Sequence, residues 1–478
     1  MTTTEDVQNW CRELLTDSPD FPQLEECLET IPELKSLNDL PAGTRVLVRG
    51  DLDVEVDEAG NIGDDTRLRS LVGTLKHGHE RGWVQIVYGH RKRDPNISLK
   101  PVVPHLERVL KEDGDLELQI DFIANWCDNE SGKISDQAGA TIANLENGAV
   151  VVLENTRWRT SDEEKPLERV LDKAKPDDLP ALADRLTEYA NGVREKLARV
   201  HVNDAIAASN RDLSSTVVPL VMDRVALGDY NRSELADHVT RTRLAELVVF
   251  SGMKLDKLDA LQEIIERGVV NMVISAGLLA LSLNKAQAEL AGQEFPMGLH
   301  GDPDAKKIYV PPERIEQAKQ LLEIGKQNNV EFVLPVDFVL NNGSAGKTIS
   351  DGAAQMDVGP ATIELHKQKV AEFIAYSQRK KESTGQPAVA FHNGVFGKFE
   401  EDPYSHGTRE FIGQLKVMHD NGVQVYVGGG EGGTALKKYG QDDWVTHCFT
   451  AGGTILKALG IRPIPFIKAL YLKSKSEK

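Results

Sequence analysis

Short apolar runs alternate with amphipathic stretches along most of the chain, from Thr44 onward. This rhythm is typical of repeated strand–helix units that form a parallel sheet. In the first half, the runs that predict strands are 45–48, 84–88, 116–122, 149–153 and 199–202. In the second half they are 246–250, 269–274, 331–335, 388–391 and 423–427, with helices such as 312–328 between them. The pattern predicts an α/β protein with two doubly wound, Rossmann-like parallel-sheet domains.

Polar stretches with helical propensity precede and join the two series. Residues 5–15 and 24–37 predict two short helices, to which the sequence assigns no chemistry. The strand–helix rhythm breaks after Thr216, and the stretch 229–243 then favours a hinge helix, because it opens with a cap-like sequence. The expected organisation is a helical extension (1–40), a first domain (41–228), the hinge helix (229–243), a second domain (244–447) and a C-terminal segment that returns towards the first domain (448–478). Polar loops at 161–180 and 298–305 are expected to lie on the surface.

Composition narrows the class of protein. A length of 478 residues exceeds what one hydrophobic core usually holds, and 40% hydrophobic with 27% charged residues fits a folded, soluble chain. The formal net charge of −18 argues against nucleic acid as the main partner. No apolar run reaches membrane-spanning length and no signal sequence begins the chain, so we expect a cytoplasmic protein without a membrane partner. The scattered cysteines support neither a disulfide framework nor a zinc site.

Candidate anion-binding residues follow the predicted strands of the first half. Arg67, Arg157 and Arg211 each stand beside small polar residues after an apolar run. A guanidinium fork matches phosphate and carboxylate oxygens, so converging arginines would bind a small, doubly anionic metabolite against the acidic background. Asp51 and Asp53 follow the first strand with a spacing of two; they could bind a metal or substrate hydroxyls, or be ordinary turn residues.

Glycine-rich turns mark the second half. Gly252, Lys254 and Lys257 precede a predicted helix, whose N-terminus favours an anion. Turns at 428–433 and 450–454 would let the backbone approach a phosphoryl group closely, although tight turns also need glycine. The chain has no GxGxxG after its first strand, no GxxxxGK[ST] and no GxSxG, so dinucleotide-binding, P-loop and hydrolase interpretations lack their motif.

Taken in order, these motifs resemble those of the phosphoglycerate kinase family, from about Leu40 to Leu470. Its RVDFNVP, SHLGRP, LLENxRF and VNDAFGTAHR motifs are similar to 49–55, 89–94, 153–158 and 202–211. Its nucleotide motifs GGAKVxDK, WNGPxGVFE, GGGDT and STGGGAS are similar to 251–257, 392–400, 428–432 and 449–455. The resemblance implies phosphoryl transfer between 1,3-bisphosphoglycerate and Mg-ADP, giving 3-phosphoglycerate and ATP, in a monomer that closes about its hinge.

The resemblance also assigns roles to individual residues. It implies that the acid-substrate domain binds through Asp51, Leu52, Asp53, Arg67, His90, Arg93, Arg157 and Arg211. It implies that the nucleotide domain binds through Gly252, Lys254, Lys257, Asn393, Glu400, Gly429, Gly430, Glu431 and Gly432. The implied catalytic set is Arg67, Lys254, Gly430 and Gly453, and Glu431 is expected to contact the nucleotide-bound Mg²⁺.

Several family positions are altered here, and they keep other functions open. Asp53 replaces an asparagine and puts an anion beside an anionic substrate, and Glu431 replaces an aspartate. Gly432, Lys398 and Gln355 also depart from the family pattern. A second hypothesis is therefore a paralogue that binds ligands or partner proteins without efficient turnover. A third, a dinucleotide-dependent dehydrogenase on a similar sheet, lacks its fingerprint.

Overall fold

The computed structural model describes residues 2–18, 20–92, 94, 96–128, 131–157 and 166–476. These residues fold into two compact units, Met1–Asp237 with Arg462–Lys478, and His238–Ile461. The division falls inside the stretch 229–243 that the sequence predicts as a hinge helix. Residues 448–461, which the sequence groups with the C-terminal segment, belong to the second unit.

The first unit is built on a six-stranded parallel sheet. Its strands are β1 (Arg45–Gly50), β2 (Val84–Tyr88), β3 (Asp121–Ile123), β4 (Val150–Leu153), β5 (Val200–Asp204) and β6 (Arg224–Leu227), in the order β3-β4-β2-β1-β5-β6. The α-helices are α1 (Thr4–Leu15), α2 (Leu24–Thr30), α3 (Thr66–Arg69), α4 (Val72–Glu80), α5 (Val103–Gly114), α6 (Asp136–Ala143), α7 (Leu179–Gly192), α8 (Leu213–Thr216), α9 (Val218–Val221) and α10 (Asp229–Ser233). Single turns of 3-10 helix lie at Leu34–Leu37, Lys100–Val102, Leu167–Arg169 and Pro176–Asp178, and a π-helical turn at Val193–Leu197.

The sheet of the first unit is covered on both faces, which explains its sequence. Every residue of β2 and β4 is buried, and such strands read as continuous apolar runs. Val48 of β1 pairs in register with Val87 of β2 and with Val202 of β5. The parallel register therefore places the residues that follow these strands at one edge of the sheet.

The second unit repeats this architecture. Its parallel strands are β7 (Leu247–Ser251), β8 (Met272–Ala276), β9 (Glu331–Val333), β13 (Val389–Asn393), β14 (Gln424–Val427) and β15 (His447–Cys448), in the order β15-β14-β13-β7-β8-β9. Its α-helices are α11 (Thr240–Thr242), α12 (Lys257–Glu266), α13 (Gly277–Leu290), α14 (Pro312–Gln327), α15 (Pro360–Thr384), α16 (His406–Asp420), α17 (Glu431–Tyr439) and α18 (Gly452–Leu459). Turns of 3-10 helix occupy Gly298–Gly301, Pro303–Ile308, Asp402–Tyr404 and Asp442–Trp444. The prediction of two doubly wound α/β sheets is confirmed.

Several elements differ from the sequence-based prediction. The strands β10 (Phe338–Leu340), β11 (Ala345–Gly346) and β12 (Gln355–Val358) form a small antiparallel sheet that was not expected. Strand β6 continues the first sheet beyond Thr216, where the rhythm was expected to break. Helix α2 ends at Thr30 instead of running to residue 37, because Pro32 cannot continue an α-helix and only a 3-10 turn follows it.

The chain remains helical between the two units. Helix α10 runs into a π-helical turn, Glu234–Val239, and then into α11. After the second unit the chain returns as α19 (Pro465–Ser476), which packs against α2 and α8 of the first unit. Among the described residues, none of the helices is long and apolar enough to cross a membrane.

The N-terminal helix is capped by its own sequence and packs on the first unit. The Thr3 hydroxyl accepts a hydrogen bond from the Asp6 amide, while the Asp6 carboxylate accepts one from the Thr3 amide. This reciprocal pair satisfies amides that a helix start leaves unbonded. On the buried face of α1, the Trp10 indole donates to the carbonyl oxygen of Thr216 at 2.8 Å. The extension therefore contacts α8, which directly follows Arg211 and Asp212.

Candidate functional site

In the first unit, two carboxylates and an arginine meet beyond the end of β1. Arg67, on α3, places its Nη1 atom 3.2 Å from Asp53 Oδ2 and 3.8 Å from Asp51 Oδ1. The same nitrogen donates to the Asp53 carbonyl oxygen at 2.7 Å. Burial raises the pKa of Asp51, although Arg67 opposes the shift. Burial alone would lower the pKa of Arg67, but Asp51 and Asp53 outweigh it and hold that pKa above its ordinary value.

His90, after β2, is a neutral group surrounded by arginines. Arg49 Nη2 lies 2.8 Å from His90 Nδ1, and an arginine can only donate, so Nδ1 is the acceptor. The proton is then on Nε2, which lies 3.8 Å from Asp53 Oδ2. Burial, followed by the charges of Arg49, Arg157 and Arg67, holds the pKa of His90 well below its ordinary value. His90 therefore offers a neutral donor at this edge.

Arg157, after β4, is buried and held by several partners. Its Nη1 donates to the Lys92 carbonyl oxygen at 3.0 Å, and its Nη2 lies 3.2 and 3.3 Å from the two carboxylate oxygens of Asp212. Lys92, at φ 56°, donates its amide to Asp53 Oδ1 at 2.7 Å. The loop after β2 thus links Asp53 to Arg157.

Sequence reasoning missed three buried members of this cluster: Arg49, Glu168 and Asp212. Arg49 Nε donates to Ser214 Oγ at 2.8 Å, and the Ser214 hydroxyl and amide both donate to the Glu168 carboxylate. Burial, and next the charge of Asp212, raises the pKa of Glu168 to about 8. Glu168 lies in the loop 161–180, which the sequence predicts to be on the surface. Residues 161–165 lie outside the described residues, and the prediction is wrong for Leu167, Glu168, Leu171 and Leu179, whose side chains are buried. No local signal marks Asp212, because its partner Arg157 lies 55 residues away in the sequence.

Three further residues were predicted to bind the acid in the first unit: Leu52, Arg93 and Arg211. The Leu52 side chain is buried in the hydrophobic core, so a contact with a ligand would have to come from its main chain. Arg93 lies outside the described residues. Arg211 is half-buried, and no ion pair joins it to a carboxylate within the part of the chain that the structure describes. Burial lowers the pKa of Lys468, and the charge of the nearby Arg211 adds to this shift.

In the second unit, a lysine and a carboxylate border the glycine after β7. Gly252 has φ 115°, and a Cβ there would lie 3.3 Å from Lys257 Nζ and 3.5 Å from Glu431 Oε2. Lys257 Nζ also donates to the Ser251 carbonyl oxygen at 2.7 Å. Burial lowers the pKa of Lys257 to about 8; Glu431 opposes this shift and the nearby charge of Lys254 adds to it. Lys254 itself is exposed, in the turn before α12.

The two glycine-rich turns are in direct contact with each other. A Cβ on Gly429 would lie 2.5 Å from the Phe449 carbonyl oxygen, and one on Gly452 would lie 2.7 Å from the Gly429 carbonyl oxygen. Gly430, at φ 76°, precedes the first residue of α17, and Gly453 lies in the first turn of α18. A Cβ on either of these two would meet no described atom within 4 Å. The turns therefore present open backbone beside two helix N-termini.

Two buried oxygens near these turns have no hydrogen-bond partner within the described part of the chain, and they test whether a polar ligand fits the site. Asn393 Oδ1 and Ser251 Oγ are buried and have no hydrogen-bond partner among the described residues. A Cβ on Gly428 would collide with Asn393 Nδ2, and Gly432 faces the amide of Gly394. The Ser251 hydroxyl and the open glycines suit a nucleotide phosphate, whereas Asn393 Oδ1 and the nearby Glu431 carboxylate are acceptors and suit the cation that accompanies it. Glu400 is exposed in the turn that follows β13 and joins none of these contacts.

Comparisons with known proteins agree with one another. The family model described as phosphoglycerate kinase matches residues 37–461. Phosphoglycerate kinase from Hypocrea jecorina is 28% identical over 451 residues, which cover 90% of this chain and 96% of the relative. Phosphoglycerate kinase 3, cytosolic, from Arabidopsis thaliana is 27% identical, with 90% and 95% covered. Among solved structures, phosphoglycerate kinase from Coxiella burnetii superposes with a TM-score of 0.66 at 22% identity, covering 93% of this chain and 100% of that one. The enzyme from Pyrococcus horikoshii gives 0.67 at 20% identity, with 94% and 100% covered.

Proposed function

Because the chain belongs to the phosphoglycerate kinase family, we propose that it catalyses phosphoryl transfer between the acyl phosphate of 1,3-bisphosphoglycerate and ADP, giving 3-phosphoglycerate and ATP. In this reaction the bond between the acyl oxygen and phosphorus breaks, a bond from the terminal oxygen of ADP to phosphorus forms, and a carboxylate leaves. No protein nucleophile is needed, since positioning and charge neutralisation supply the catalysis.

The cluster around Arg67 is the observation that supports this proposal most directly. The Arg67 side chain is 30% exposed, while its partner Asp51 is buried, so a charged donor is held in place and remains partly open to a ligand. We assign Asp51, Asp53 and His90 to the hydroxyl and carboxylate end of the acid. We assign Arg157, with Arg93 and Arg211, to its phosphate.

We assign the nucleotide to the site formed by the two glycine-rich turns of the second unit. Lys257 and the backbone near Gly429 and Gly430 would hold the phosphates, where the N-termini of α17 and α18 favour negative charge. Asn393, Gly252 and Gly432 would border the phosphates, and Glu400 would reach the ribose. Glu431 would hold Mg²⁺, which neutralises phosphate charge when it is bound with the nucleotide.

Transfer requires a state in which both ligands meet in line, so we assign closure to the helical segment 229–243. In that state Arg67, Lys254 and the amides near Gly430 and Gly453 would neutralise the transferring group. The family resemblance supports a monomer, and the cytosolic relative supports a cytoplasmic location. Light scattering at assay concentration tests the first of these two assignments.

A coupled assay with 3-phosphoglycerate and Mg-ATP tests the function. Arg67→Ala should lower kcat about a hundredfold or more, because removing one preorganised donor to the transferring group costs roughly 3 kcal/mol. Arg199→Ala is the matched control: Arg199 is 61% exposed and directly precedes β5, at the opposite edge of the sheet. Native-like turnover of Arg67→Ala would refute the role given to Arg67.

A second candidate function is a weakly active paralogue that serves as a binding protein. The carboxylate of Asp53 favours it, because this anion lies within the arginine cluster where an anionic acid would bind. Undetectable turnover by the native protein, together with calorimetric binding of 3-phosphoglycerate or Mg-ADP, would favour this candidate over the enzyme.

A further inference from the structure

The buried carboxylate of Asp212 lies among the cations of the first unit. Its side chain has no solvent exposure. It is 3.2 Å from Arg157 Nη2, 3.7 Å from Arg49 Nη2 and 3.7 Å from His90 Nδ1. Because His90 is neutral, Asp212 is the anion that two buried arginines share.

The arginine fork at this point is only partly used. Asp212 engages Nη2 of Arg157, and the Lys92 carbonyl engages Nη1. Arg157 Nε is buried and finds no acceptor among the described residues, and the neighbouring Thr156 hydroxyl is in the same condition. A buried donor without an acceptor is costly, so the internal partners of Arg157 leave part of its hydrogen-bonding capacity unfilled.

We propose that Asp212 is a specificity-determining residue, an internal counter-anion that opposes the phosphate group of the acid at Arg157 and so sets how tightly this site holds anions. This inference rests on the proposed function, because it takes Arg157 as the phosphate partner. It goes beyond that function by proposing that Asp212 weakens the binding of phosphate at Arg157. A ligand anion near Arg157 meets the field of a carboxylate that cannot be screened by water.

Asp212→Asn is the direct test, because it removes the charge and keeps the shape. We expect the KM for 3-phosphoglycerate to fall about fivefold or more, while the KM for ATP stays unchanged. Asp39→Asn is the matched control, since it also removes the carboxylate of an arginine pair, with Arg224, but at an exposed position. An unchanged or raised KM for 3-phosphoglycerate in Asp212→Asn would overturn the proposal.

Thermal unfolding with inorganic phosphate gives a second readout that needs no turnover. Without phosphate, Asp212→Asn should melt below the native protein, because two buried arginines lose their counter-charge. Added phosphate should raise its melting temperature about twice as much as it raises that of the native protein, since ligand binding to the folded state alone stabilises it. Equal phosphate-induced shifts in both proteins would also overturn the proposal, by leaving Asp212 a purely structural role.

Should Asp212→Asn fail to fold, Arg157→Gln still tests the premise that phosphate binds at Arg157. It should abolish the phosphate-induced rise in melting temperature, and a retained rise would overturn the proposal because the anion would then bind elsewhere. The outcomes also distinguish a failure of the inference from a failure of the proposed function. Native turnover with no effect of Asp212→Asn refutes the inference alone, whereas absent native turnover refutes the proposed function and leaves the phosphate experiment to test the subsite.

Discussion

Replacing Gly429 by alanine tests whether the contact between the two glycine-rich turns builds the nucleotide site. A Cβ at this position would lie 2.5 Å from the Phe449 carbonyl oxygen and 2.8 Å from the carbonyl carbon of Thr450. These are backbone atoms, which cannot rotate away as a side chain can, so the turn after β14 must move away from the segment before α18. Such overpacking costs about 1–3 kcal/mol.

The same displacement should affect catalysis. A shift of a phosphate-lining turn by about 1 Å can lower the rate of transfer roughly a hundredfold. We therefore expect Gly429→Ala to lower kcat/KM for the nucleotide by up to that factor in the coupled assay. For a unit of this size, the stability loss corresponds to a fall in melting temperature of about 2–12 °C.

Gly413→Ala is the matched control for this experiment. Gly413 lies in α16, and a Cβ there would meet no described atom within 4 Å. Alanine at this helical position should stabilise the protein by up to about 1 kcal/mol and leave nucleotide kinetics unchanged. A Gly429→Ala variant with native melting temperature and native kcat/KM for the nucleotide would refute the reasoning, because the turns could then separate at no cost.

Two further predictions concern stability. The pKa of Glu168 is raised to about 8 in the folded protein, so its contribution to stability is full at acid pH and is lost as the pH rises towards 8. Glu168→Gln should remove that loss. Between about pH 5 and pH 9, urea unfolding should therefore show the free energy of unfolding of the variant rising by a few kcal/mol relative to that of the native protein. A difference in this free energy that stays constant across the range would contradict the assignment. Trp10→Ala should lower the free energy of unfolding by about 3–5 kcal/mol, because Trp10 is a buried indole. Trp10→Phe should cost only about 1 kcal/mol for the lost bond to Thr216, and an unchanged urea midpoint in Trp10→Ala would show that α1 does not stabilise the first unit.

The fold was largely readable from the sequence because parallel strands buried on both faces leave continuous apolar runs. The run 84–88 coincides with β2, and the runs at 45–48 and 423–427 fall within a few residues of β1 and β14. The strand predicted at 116–122 is realised only as Asp121–Ile123, although Leu116 and Ile120 are buried. Apolar burial was detected there, but pairing with β4 decides which residues form the strand.

Elements that depend on long-range pairing were missed. Strand β6 has four residues and follows apolar helical turns, so no change of periodicity marks its start. The small antiparallel sheet of β10, β11 and β12 is built from strands of two to four residues, which are too short to show an alternating pattern.

In the candidate site too, residues marked by a local pattern were predictable, and those defined by long-range contacts were not. Arg67 and Arg157 were predictable because charged residues that follow the strands of the first unit gather at one edge of its sheet, and Lys257 because it follows β7 of the second unit. Asp212 and Glu168 were not predictable, since Asp212 contacts Arg157 across 55 residues and Glu168 contacts Ser214 across 46. Local sequence carries no signal for such contacts, and an acidic residue in a polar stretch is usually solvated.

Separate calorimetric titrations with 3-phosphoglycerate and with Mg-ADP test the central claim, that each unit holds one of the two ligands. Arg157→Gln should weaken binding of 3-phosphoglycerate at least about tenfold and leave binding of Mg-ADP unchanged, and Lys257→Met should do the reverse. Loss of Mg-ADP binding in Arg157→Gln, or loss of 3-phosphoglycerate binding in Lys257→Met, with both variants folded, would contradict the account.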